Sequence, residues 1–159
     1  MSAERLTARV KRIGLSLALL VTLLGRPAAG AAAAFHLVGL DGTELGGAQV
    51  SQGVTIAVVW ASWSPRCRDV GAQANGLVER WSGRARVVTV NFQEGKDAAR
   101  AFAEEQDLRA PVYLDPDGEF AKAFGVTNLP GLLVLRDGQV AYSGKFPPDV
   151  DKVLSEHVP

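Results

Sequence analysis

One short run in this chain has residue types that could do chemistry together: Ser64-Pro65-Arg66-Cys67. Cys67 is the single cysteine of 159 residues, so an internal disulfide is excluded. A thiol attacks only as a thiolate. At the first turn of a helix, with Arg66 or Arg68 alongside, Cys67 would have a depressed pKa and be reactive; packed beneath the loop, it would be a small inert hydrophobe. Ser64 as a nucleophile needs an adjacent base. Neither histidine, His36 or His157, is near it in sequence, and only the fold could bring His36 close. A serine before proline at a helix start is better explained as a cap on the free N–H groups. One Cys and two distant His residues give no metal-ligand spacing, so no metal or other cofactor is expected. Glu104-Glu105 reads as a solvated helix face and Asp115/Asp117 as a turn, because the spacing of a calcium loop is absent.

The charge total is balanced, 17 Lys+Arg against 17 Asp+Glu, which gives no field for phosphate backbones and argues against nucleic acid as a partner. Five of those cations and one anion fall in residues 1–34, leaving 12 against 16 in residues 35–159. A basic stretch ending at Arg12, an uncharged apolar run over 13–24, then Arg26-Pro27 and an Ala-rich tail to Ala34 follow the order of a secretory signal. Arg26 interrupts the run short of the roughly 20 apolar residues a membrane span needs. The expectation is a cleaved signal over 1–34 and a periplasmic or secreted domain over 35–159. An uncleaved anchor facing the same side is the alternative, and only then would the protein touch a membrane. No cysteine stands directly after the apolar run, so a lipid-anchored amino terminus is not expected.

The elements that must position Cys67 follow from periodicity. Residues 35–37 and 43–45 flank Asp41-Gly42, a hairpin turn signal. The continuous apolar, β-branched run over 54–60 predicts a central strand covered on both faces. A helix is predicted from Ser64 to about residue 81, with Val70, Ala74, Leu77 and Trp81 on its buried stripe. A second buried strand over 86–92 and a helix over 96–106, with Ala99, Phe102 and Ala103 inward, complete a strand–helix–strand unit with parallel strands. Further on come an extended piece over 112–114, a turn over 115–118 and a short helix over 119–124 closed by Gly125. Strands over 131–136 and 139–143 joined by Asp137-Gly138, then a helix over 148–157, end the chain. One α/β domain follows, without linker or repeat.

The stretch from Val58 to Arg68, containing Trp60-Ala61-Ser62-Trp63-Ser64-Pro65-Arg66-Cys67, resembles the strand and redox loop of the thioredoxin superfamily, in particular its secreted TlpA/ResA type. The resemblance extends over nearly all of 35–159, through the Asp41-Gly42 hairpin, Leu114-Asp115-Pro116-Asp117-Gly118, Phe124-Gly125-Val126 and Leu129-Pro130. It implies a thioredoxin fold, a central mixed sheet flanked by helices with an N-terminal β-hairpin extension. It also implies that Pro130 matches the family's cis-proline beside the redox loop. Trp60 and Trp63 are expected to be a rim and wall of the site or, as large apolar groups beside a strand end, plain core; Pro65, Arg66, Leu129 and Pro130 are the further candidate binding residues.

The departures bear on activity. The family's attacking cysteine is Ser64 here, and only the resolving position is kept, as Cys67. The acidic residue that many relatives carry three positions further on is Val70, and the threonines flanking the cis-proline are Leu129 and Gly131. Thiol exchange needs one thiolate to attack and a second thiol to release the mixed disulfide, so the dithiol cycle is not available to this site. Three functions remain. The first is a thiol-disulfide oxidoreductase relative with monothiol or lost activity that binds thiol-bearing or extended peptide partners, protein disulfides included. The second is a one-cysteine peroxiredoxin-like peroxidase, since Ser64-x-x-Cys67 resembles that family's Thr/Ser-x-x-Cys, although its upstream proline is Trp60 here. The third is a non-catalytic scaffold or assembly factor.

Overall fold

The computed structural model describes residues 34–159; the signal-like segment lies outside the described residues apart from Ala34. Seven strands form one mixed sheet: β1 (His36–Gly39), β2 (Glu44–Gly46), β3 (Val54–Trp60), β4 (Arg86–Phe92), β5 (Val112–Asp115), β6 (Gly131–Arg136) and β7 (Gln139–Lys145). Their spatial order is β2-β1-β5-β4-β3-β6-β7. The pairs β3/β4 and β4/β5 are parallel and the others antiparallel. The helices are α1 (Gly47–Val50), α2 (Val70–Trp81), α3 (Lys96–Glu105), α4 (Glu119–Ala123) and α5 (Val150–His157).

Every residue of β3 is buried because the strand sits mid-sheet with both faces covered, which is why its sequence is a continuous apolar run rather than an alternating one. Its side chains divide by the period of two: Ile56, Val58 and Trp60 join the core under α2, α3 and α5, while Ala57 and Val59 join the core under α1 and α4. The stripe Val70, Ala74, Leu77 and Trp81 of α2 lies in the first of these cores, with Cys67. The two hairpin turns follow their residue types. Asp41 accepts hydrogen bonds from both the backbone N–H and the hydroxyl of Thr43, and Asp137-Gly138 supplies two successive positive φ angles.

Four expectations are corrected. The helix predicted from Ser64 is broken into a 3-10 turn, Pro65–Cys67, and α2, because Asp69 between them leaves helical geometry (φ −108°, ψ 17°). The closing helix begins at Val150 rather than at Pro148, since Asp149 is the residue that caps it, accepting the Lys152 N–H at 3.2 Å. β7 continues two residues further than expected, to Lys145, pairing with Gly131 at the start of β6. The extended piece expected over 112–114 runs on to Asp115, which is buried and opens the expected turn; its carboxylate accepts the N–H groups of Phe120 (3.0 Å) and Ala121 (2.9 Å), so it holds the start of α4.

Candidate functional site

Because β3 and β4 are parallel and in register from Thr55↔Arg86 to Trp60↔Asn91, the loops that leave them emerge side by side. The loop after β3 carries the Ser64–Cys67 motif. Ser64 is in an extended conformation (φ −87°, ψ 115°), its N–H donates to Ala61 O at 3.2 Å, and the Cys67 N–H returns to Ser64 O at 2.9 Å. That tight turn satisfies locally the group a side-chain cap would serve, and the Ser64 side chain does not cap. This corrects the capping expectation; the Ser64 side chain acts on the Cys67 thiol instead, pulling its pKa down.

Cys67 is fully buried. Burial pushes its thiol above the ordinary cysteine range; hydrogen bonds from the Ala61 backbone and the Ser64 side chain pull in the opposite direction, and the Glu94 carboxylate adds to the rise. The reactive-thiolate expectation is therefore corrected on two counts. Arg66 and Arg68 point to solvent and contribute nothing to the sulfur, and α2 starts three residues beyond it. His36 does not approach Ser64 either: it lies on β1, across from Glu44 at 3.9 Å.

Trp60 and Trp63 separate. Trp60 is fully buried, its ring stacked on Phe102 at a centroid distance of 5.0 Å, so it is core rather than a wall of a binding surface; its Nε1 has no partner among the described residues. Trp63 is 58% exposed and tilts against Phe92. With Ser64, Pro65 and Arg66 it forms one side of a groove whose other side is Thr127, Asn128 and Leu129. The Leu129–Pro130 peptide bond is cis. Pro130 O accepts the Phe146 N–H at 2.9 Å, whereas the backbone N–H and C=O of Leu129 have no hydrogen-bond partner among the described residues. Gly131 has a packing reason: a Cβ there would stand 2.6 Å from Val126 Cγ1 and 2.8 Å from Asn128 O, so a larger residue such as threonine does not fit without a shift of the backbone.

Sequence reasoning missed Glu94. Its carboxylate accepts the Ser62 backbone N–H at 2.8 Å, the Ser62 hydroxyl, and the Asn91 side-chain N–H at 2.5 Å, so it ties the loop after β4 to the loop that carries Trp63 and Ser64. A polar Asn91 as the penultimate residue of a buried strand, three residues before a Glu, was the available signal. Among the described residues, no group of His, Cys, Asp or Glu side chains could hold a metal ion. What remains chemically is one shielded sulfur, a hydroxyl that acts on it, and an open groove with an unpaired backbone segment.

Known proteins agree with that geometry at the level of family and fold. Residues 28–143 match the AhpC/TSA family. The thiol-disulfide oxidoreductase ResA of Bacillus thuringiensis is 29% identical over 83 residues, 51% of this chain and 48% of that protein. The sporulation thiol-disulfide oxidoreductase A of Bacillus subtilis is 26% identical over 106 residues, 64% of each chain. The chain thus spans about half the length of the ResA proteins it matches. A thioredoxin-family thiol:disulfide interchange protein from Chlorobium tepidum superposes with a TM-score of 0.64 at 22% identity, covering 77% of this chain and 92% of that one. A secreted Mycobacterium tuberculosis disulfide oxidoreductase superposes with a TM-score of 0.63 at 19% identity, covering 80% and 96%. The chain belongs to the AhpC/TSA family and is a TlpA/ResA-like protein of the thioredoxin superfamily.

Proposed function

We propose that this is an extracytoplasmic thioredoxin-like protein that binds extended peptide segments, thiol-bearing ones included, in the Trp63–Leu129 groove, with the dithiol cycle of its relatives reduced to a monothiol role or lost. The observation that carries this reading is that Cys67 is a free, fully buried thiol with Ser64 three residues before it, where exchange requires a second, attacking sulfur. Unpaired Leu129 backbone groups support strand-like addition of a partner chain. Export over a signal at 1–34 is supported by the order of charge and apolarity there and by the secreted relative; a purified native chain whose mass includes Met1, or one recovered from the cytosol, would contradict it.

Turnover of an insulin-like disulfide substrate is the test. Wild type is expected to be inactive and Ser64→Cys to gain measurable reduction. Wild-type turnover abolished in Cys67→Ser would overturn the expected inactivity and decide for a catalytic monothiol mechanism, fed by an external thiol.

The Ser64 hydroxyl, which acts on the Cys67 thiol, also favours the peroxidase reading, since a hydroxyl beside the sulfur could polarise peroxide. Burial and the lack of a cation at the sulfur weigh against it. Slow sulfenic acid formation in stopped-flow, unaffected by Ser64→Ala, is expected; rapid formation that depends on the hydroxyl would make this a peroxidase. A scaffold differs from the proposed reading only in having no thiol role at all; in either, a Cys67→Ala variant that still folds is expected to lose little partner capture.

A further inference from the structure

The groove beside Ser64 has an uneven charge. Arg66 is the one ionised side chain among its lining residues. It is exposed, and its guanidinium makes no ion pair or hydrogen bond among the described residues; the same is true of Arg68, two residues on. Glu94 is occupied by Ser62 and Asn91, and Asp69 is exposed outside the groove lining. This cationic spot stands out on a domain that otherwise has an acidic surplus, 12 Lys+Arg against 16 Asp+Glu over residues 35–159.

A guanidinium offers a carboxylate two parallel N–H donors, a geometry that an amide matches less well and an ammonium opposes. The groove lining holds no carboxylate that could receive a lysine in its place. Beside Arg66, the exposed ring of Trp63 and the side chain of Leu129 give an apolar platform. Building on the peptide-binding reading above, we infer that the groove selects an extended acidic peptide in which an apolar side chain rests on Trp63 and a neighbouring Asp or Glu pairs with Arg66.

The experiment uses three fluorescein-labelled short peptides that are identical except for a central Leu-Glu, Leu-Gln or Leu-Lys, titrated with the intact protein by anisotropy. At about 20 mM salt, affinity should fall in the order Glu, Gln, Lys, by roughly threefold to tenfold per step, and the spread should shrink at about 300 mM salt. Arg66→Gln should flatten the order and Arg66→Glu reverse it; both change an exposed side chain and leave the core intact. If all three peptides bind equally, or if Arg66→Gln keeps the preference for Glu, the inference is wrong while the peptide-binding reading stands. If none binds, both fall.

Discussion

The Glu94 carboxylate accepts the backbone N–H of Ser62 at 2.8 Å, joining the two loops that leave β3 and β4 and lying close enough to Cys67 to raise its pKa. Replacing Glu94 by Gln removes the charge and puts an amide N–H2 where an acceptor was needed. The Cys67 pKa should fall relative to wild type, followed by ultraviolet thiolate absorbance, yet stay above the ordinary value because burial, the larger cause, persists. An unchanged or higher pKa in Glu94→Gln would show that the carboxylate does not act on the sulfur.

The raised Cys67 pKa carries a pH dependence of stability. A group whose pKa is higher in the folded than in the unfolded state contributes stability that is fully present below the unfolded value, about 8.5 for a thiol, and is lost as pH rises through the folded one. Urea midpoints of wild type should therefore fall more steeply above about pH 8.5 than those of Cys67→Ala, with parallel behaviour below. Parallel curves throughout the alkaline range would contradict a neutral buried thiol.

Asp115 should matter for stability and not for the groove. Its buried carboxylate serves two N–H groups at the start of α4, so Asp115→Ala should cost about 1–3 kcal/mol, read as a lower urea midpoint at unchanged slope. Asp115→Asn, which keeps one acceptor, should lose less. A midpoint within error of wild type for Asp115→Ala would mean that water replaces both bonds.

The sheet was legible because its signals are local: β3 and β4 were predicted with the bounds they have, since a β-branched apolar run buried on both faces has few alternatives. The buried stripe of α2 followed from its spacing, Val70, Ala74, Leu77 and Trp81. What could not be read depends on contacts across the fold. Trp60 and Trp63 are three residues apart and alike in type; only the packing of Phe102 and Phe92 makes one core and the other surface. Glu94 reaches the site through the pairing of β3 with β4, which no local pattern states. The break at Asp69 arises where the 3-10 turn draws Cys67 into the core, a tertiary demand that overrides helix propensity.

The central claim is that Cys67 is a shielded, neutral thiol in a site whose attacking sulfur has become Ser64, and iodoacetamide alkylation of the native protein tests it most directly. At pH 8, native Cys67 should react at least roughly a hundredfold more slowly than Cys67 in urea, reaching completion only as the protein opens. Alkylation of the native protein as fast as that of the unfolded chain, or faster, would contradict it.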